Sequence, residues 1–104
     1  MATIQQLLVI LPNNKQTAIH AVDIARQLGL PTSGNQVETR QLIRNAIQAG
    51  HTIVSSTRAG YWLSSSKVEI QCYIDSLEDR ANNTKLRADE LRQAWNTLNP
   101  NNTI

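Results

Sequence analysis

Val37–Leu63 reads VETRQLIRNAIQAGHTIVSSTRAGYWL, and the rest of the chain has to be fitted around it. At about 100° per residue, Thr39, Leu42, Ile43, Ala46 and Ile47 fall in one sector of a helix, a face suited to a core. Val37, Gln41, Arg44 and Gln48 fall opposite, with Arg40 and Asn45 at the margins, so the outer face carries long planar hydrogen-bonding side chains. The helix is expected over residues 36–49, and Gly50 ends it. His51-Thr52-Ile53-Val54-Ser55 then has β-branched strand character. Ser56-Thr57-Arg58-Ala59-Gly60 turns the chain, and Tyr61-Trp62-Leu63 returns as the partner strand. Tyr61 and Trp62 alternate, which predicts one ring in the core and the other half exposed.

Upstream, residues 1–11 read as a first helix. Thr3 is placed to cap it, Ile4, Leu7, Leu8 and Leu11 line one side, and Pro12 follows where it must stop. Residues 12–16 (Pro-Asn-Asn-Lys-Gln) are turn-forming, and Thr17-Ala18-Ile19 is expected as a short edge strand. His20 precedes a second helix, Ala21 to Leu28, that buries Val22, Ile24, Ala25 and Leu28 and stops at Gly29. Pro31-Thr32-Ser33-Gly34-Asn35 is a turn cluster leading into the third helix.

Downstream, Ser66 and Glu69 have capping-box spacing. From Lys67 the pattern is one long helix. Ile70, Ile74, Leu77, Ala81, Thr84, Ala88, Leu91, Trp95 and Leu98 recur in steps of four and three, a heptad seam weakened in its middle by Ala and Thr. Val68, Tyr73 and Ile74 are expected to pack on the preceding domain, and the remainder to self-associate. Asn82-Asn83 are poor helix formers where a kink is expected if anywhere. The parse is therefore residues 1–65 as a compact domain, 66–98 as a long helix, and 99–104 as a disordered tail. The fold class is mainly α with a small β-hairpin.

Composition narrows the function. The chain of 104 residues has a net charge of only +2, so it is no polycationic coat for nucleic acid. Charge is uneven along it. Residues 1–67 hold Lys15, Arg26, Arg40, Arg44, Arg58 and Lys67 against Asp23 and Glu38; residues 68–104 hold Arg80, Lys85, Arg87 and Arg92 against six acids. A basic head with an acidic helical tail suits a nucleic-acid contact made by the head. Cys72 is the single cysteine, which excludes an internal disulfide and makes a reducing compartment the default. No apolar run has membrane-spanning length and the amino terminus lacks a signal-peptide pattern. A cytoplasmic protein without a membrane partner is expected.

The order of elements and several short motifs resemble a known superfamily. Ile19-His20-Ala21-Val22-Asp23-Ile24-Ala25-Arg26-Gln27-Leu28-Gly29-Leu30 resembles the first helix of a helix-turn-helix unit, in which an Ile-Ala pair packs inward and a Leu-Gly-Leu end makes the turn. Arg58-Ala59-Gly60-Tyr61-Trp62-Leu63 looks like the wing closure of winged-helix domains of the biotin-repressor amino-terminal type. Arg40, Ile43, Gly50, Ile53, Ser55 and Gly60-Tyr61 together are similar to small bacteriophage-encoded winged-helix proteins with a helical tail. The likeness covers about residues 4–63. One departure is the connection from Pro31 to Asn35, longer than the tightest helix-turn-helix link.

The resemblance implies a winged helix-turn-helix plus a long C-terminal helix, acting as a non-enzymatic double-stranded DNA-binding protein. It further implies a phage or prophage regulator of transcription or replication. The third helix would enter the major groove. Gln41, Asn45 and Gln48 carry amides, of which Gln41 and Asn45 suit adenine. Arg40 or Arg44 suits guanine, and Val37 suits a thymine methyl. Arg58 at the wing tip, Ser56 and Thr57 beside it, and Lys15 at the flank would meet phosphates. With about four to six such contacts, one head should bind weakly and lose affinity with salt. Self-association through Leu77, Ala81, Thr84, Ala88, Leu91, Trp95 and Leu98, as a homodimer or higher oligomer, would raise effective affinity. Two alternatives share this build: a protein–protein adaptor whose winged helix has lost DNA contact, and a small terminase-like DNA-packaging subunit.

Nothing in the sequence points to an enzyme. His20 and His51 stand in different elements, no Cys or acidic cluster has metal-ligand spacing, and the glycines form no phosphate-cradling loop. Ser64-Ser65-Ser66 lacks a base. No cofactor, metal or catalytic residue is expected.

Overall fold

The computed structural model describes residues 2–104; Met1, placed in the first helix from sequence, lies outside the described residues. The order is α1 (Ile4–Ile10), a single 3-10 turn (Lys15–Thr17), α2 (Ala21–Leu28), α3 (Val37–Gln48), β1 (Ile53–Ser56), β2 (Gly60–Leu63) and α4 (Lys67–Leu98). The chain is mainly helical, with one antiparallel hairpin and a long C-terminal helix. It forms two compact units, Met1–Ile70 and Gln71–Ile104.

Local chemistry sets most boundaries. Thr3 caps α1 through a reciprocal box: the Gln6 amide N–H donates to Thr3 Oγ1 at 3.2 Å, and Thr3 N–H donates to Gln6 Oε1 at 2.9 Å. Where a plain loop is expected after Pro12, Asn14 caps the 3-10 turn by accepting from Thr17 N–H at 3.0 Å. Gly29 closes α2 at φ 70, a left-handed conformation that costs glycine little. His20 occupies the N-cap position of α2 but makes no side-chain capping bond.

α1, α2 and α3 pack on one another around Leu7, Leu11, Ile24, Ile43, Ala46 and Ile53. Thr39 is wholly buried on the same side of α3. Ile47, expected in this core, is 48 % exposed. The buried sector centres on Thr39, Ile43 and Ala46, which leaves Leu42 and Ile47 at its two edges. Val22 is likewise only half-buried, while Ala21, not expected inside, is buried.

The hairpin pairs Ile53 with Leu63, Val54 with Trp62, Ser55 with Tyr61 and Ser56 with Gly60. The expected strand over residues 17–19 shrinks to one bridge, Ile19 with Tyr61. Pro12 accepts from Leu63 N–H at 2.8 Å, so β2 is held on its outer side at both ends. Gly60 (φ 100) makes this possible, because a Cβ there would lie 2.7 Å from His20 N and closer still to the Ile19 carbonyl.

Trp62 is buried and Tyr61 half-buried, as the alternation predicts. The Trp62 indole donates to Glu69 Oε1 at 2.8 Å, and Glu69 N–H donates to Ser66 Oγ at 3.2 Å. The Ser64 hydroxyl and the Trp62 indole hold the Glu69 carboxyl below its usual range, with Lys15 adding a smaller attraction.

α4 runs 32 residues without a break at Asn82-Asn83, and none of its residues is buried. Val68, expected to pack on the head, is 73 % exposed. In place of a disordered tail, residues 99–104 fold back on the end of α4. Trp95 Nε1 donates to the Asn102 carbonyl at 2.7 Å, and Ile104 N–H donates to Asn96 Oδ1 at 2.8 Å. Asparagine side chains and freed carbonyls at a helix end find each other there.

Candidate nucleic-acid interface

The outer face of α3 presents Val37, Glu38, Gln41, Arg44, Asn45 and Gln48, all exposed. Helix periodicity alone puts them together, since the opposite face is committed to the core. What each can offer differs. Among the described residues Arg44 makes no hydrogen bond or ion pair, so its guanidinium retains every donor for a partner. Gln41 donates to Asn45 Oδ1 at 2.9 Å, an i,i+4 amide pair that presents two side chains as one unit. Val37 stands 73 % exposed at the amino-terminal end of this face.

Arg40 is different. Its Nε donates to the Asn35 carbonyl at 2.6 Å and its Nη1 to the Tyr61 hydroxyl at 3.1 Å. The side chain thereby fastens the loop before α3 to β2. Two of its five N–H donors are committed in this way, so less of its guanidinium is free for a base than at Arg44. Sequence gave no sign of this tie, because its partner Tyr61 lies twenty-one positions away.

The loop itself holds a second unforeseen feature. α3 has no Ser, Thr, Asp or Asn cap; Gln36 stands at the N-cap with φ 50. Its amide donates to the carbonyls of Thr32 and Gly34, each at 2.9 Å, which holds a left-handed residue that is not glycine. The amino-terminal end of α3 is thus tethered by side chains from Gln36 and Arg40.

At the hairpin, Thr57, Arg58 and Ala59 form the turn, shorter than the expected five residues. Ser56 Oγ accepts from Ala59 N–H at 3.0 Å, leaving the hydroxyl proton for an outside acceptor. Arg58 is exposed and, among the described residues, unpaired. Lys15 is exposed and, among the described residues, in no ion pair; its charge adds only the smallest attraction to Glu69. Of the cations expected to meet phosphates, Lys15 and Arg58 remain exposed in the head, with Lys67 exposed at its margin. A shallow groove lined by Ala2, Leu30, Glu38, Gln41, Leu42 and Asn45 flanks the amide pair. It is part apolar and carries an acid.

Among the described residues no group of three His, Cys, Asp or Glu side chains could hold a metal ion, and no helix is long and apolar enough to cross a membrane. Cys72 is exposed. No protein-family model matches the chain, and no curated protein or solved structure matches it.

Proposed function

We propose that the head is a winged helix-turn-helix that binds double-stranded DNA, with α3 in the major groove and the hairpin as the wing. The reading is carried by one observation: Arg44 stands without a partner beside the Gln41–Asn45 amide pair, on the face turned away from the core. Guanidinium and amide groups so placed match the hydrogen-bonding edges of guanine and adenine. Arg58, Thr57 and the Ser56 hydroxyl then reach phosphates from the wing, which set register without reading sequence.

The interaction is modest. Arg58, Lys15 and Lys67 allow about two or three phosphate neutralisations per head, so log K should fall with log salt at a slope of about −2 to −3. A role in transcription or replication control, in a phage or prophage setting, is the occupation that fits a small weakly binding head on a helical tail. The flanking groove, with Leu30, Leu42 and Glu38, favours a second reading as a protein–protein adaptor.

Fluorescence anisotropy with mixed-sequence duplex across a salt series tests this. Arg44→Ala should lower affinity and relax sequence preference, and Arg58→Ala should lower affinity and flatten the salt slope by about one, both with unfolding unchanged. Retention that is absent at low salt, or indifferent to both substitutions, selects the adaptor.

A further inference from the structure

α4 poses a physical problem that the head does not answer. It extends over 32 residues, buries none of them, and carries Asn82-Asn83-Thr84 at its centre. Helices in proteins draw most of their stability from packing an apolar face, and asparagine and threonine propagate helix poorly. Its intrahelical pairs are few and exposed: Lys85 and Arg92 both bond Asp89, and Gln71 bonds Asp75. Such pairs contribute about 0.3–0.5 kcal/mol each. Meanwhile Ile74, Leu77, Leu91, Trp95 and Leu98 stand exposed along one heptad seam, Leu91 at 73 % and Leu98 at 80 %. The seam needs a cover.

We propose that the cover is α4 of a second copy of this chain, running antiparallel and centred on Asn82-Asn83. The flanking charges select the orientation. With Ile74, Ala81, Ala88 and Trp95 at a and Ile70, Leu77, Thr84, Leu91 and Leu98 at d, the e positions are Gln71, Glu78, Lys85 and Arg92, and the g positions are Tyr73, Arg80, Arg87 and Ala94. In a parallel in-register pair each g residue faces the e residue five positions on. Arg80 would then oppose Lys85, and Arg87 would oppose Arg92, and symmetry doubles both repulsions. In the antiparallel pair e faces e, and g faces g. Glu78 opposes Lys85 of the second copy in both symmetric positions, and these attractions offset the remaining Arg80–Arg87 approach.

The seam itself is complementary in that direction. Ile74 meets Leu91 of the second copy, Leu77 meets Ala88, and Ala81 meets Thr84, so large residues lie towards both ends and small ones at the centre. Like ends therefore never stack on one another, and the small central layers let the two backbones approach where asparagines weaken the isolated helix. The partner is a second copy whether or not the head binds DNA.

Cys72, single and exposed, makes the arrangement measurable in the full chain. A nitroxide on Cys72 and one on Cys72→Ser/Asn83→Cys are compared by pulsed dipolar spectroscopy. In the antiparallel pair the two residues at position 72 are separated along the axis by about 32 Å, from a rise of about 1.5 Å per residue, and those at position 83 by about 1.5 Å. The expected result is a much longer distance at 72 than at 83. Equal distances at both sites mean a parallel assembly and overturn the proposal. A monomer by sedimentation, at concentrations up to the hundred-micromolar range, overturns it as well. Glu78→Lys should weaken association on the order of tenfold, and Glu78→Lys/Lys85→Glu should restore it; failure of the reversal to restore would argue against the orientation.

Discussion

Thr39 is fully buried and, among the described residues, its hydroxyl oxygen has no hydrogen-bond partner. A threonine inside a helix ordinarily turns its hydroxyl to the carbonyl four residues back. Here that carbonyl belongs to Asn35, and Arg40 Nε holds it at 2.6 Å. The hydroxyl is thus desolvated without compensation, which costs about 1–3 kcal/mol. Thr39→Val replaces the hydroxyl with a methyl while keeping the branched Cβ and nearly the same helix propensity. The variant should be more stable by about 1–2 kcal/mol, which for a domain of this size raises Tm by roughly 5–15 °C. Thr39→Ser makes the control: it keeps the orphan hydroxyl and loses the methyl, so it should be less stable than the parent. Urea denaturation followed by tryptophan fluorescence in a Trp95→Phe background, which leaves Trp62 as the reporter, at one fixed protein concentration to hold any self-association constant, reads both. If Thr39→Val left the midpoint unchanged or lowered it, the hydroxyl would have a partner in solution and the reasoning would be wrong.

Three further outcomes follow from the same contacts. Gly60→Ala should cost about 3–5 kcal/mol, because a positive φ and a backbone collision at Ile19 act together; hydrogen exchange should show early loss of protection at Ile19 and Tyr61 amides. Glu69 is held below its usual pKa of 4.5 by Ser64 and Trp62, so its contribution is complete above about pH 4.5 and disappears as pH falls through the lowered value. Glu69→Gln should flatten the acid limb of the stability profile, and a variant as acid-sensitive as the parent would count against that corner. Arg40→Ala should lower stability through Asn35 and Tyr61, whereas Arg44→Ala should leave stability within about 0.5 kcal/mol and act on DNA affinity alone. Equal unfolding midpoints for the two arginine variants would remove the distinction drawn between them.

Much of the backbone plan was legible because its signals are local. Thr3 with Gln6, Gly29 after Leu28, and Ser66 with Glu69 act within four residues, so the caps they form can be read directly. The period of α3 separates a core side from a polar side for the same reason. Ile47 shows the limit of that method: a helical sector has edges, and how far burial extends towards them depends on what packs there. Residues 99–104 show another, since polar composition reads as disorder although the Asn96 and Asn99 side chains find backbone partners and the Asn102 carbonyl accepts from the Trp95 indole at a helix end.

The interface divides in the same way. Sequence alone determined which side chains share the outer face of α3, because a 3.6-residue period distributes them whatever the surroundings. Only the tertiary fold decided which remain free to act. Arg40 and Arg44 are the same residue one turn apart, yet Arg40 is secured to Tyr61 across the hairpin and Arg44 is not. That difference arises from a contact between residues far apart in the chain, where the tertiary fold brings the Tyr61 hydroxyl within reach of Arg40, and no local preference sets the geometry.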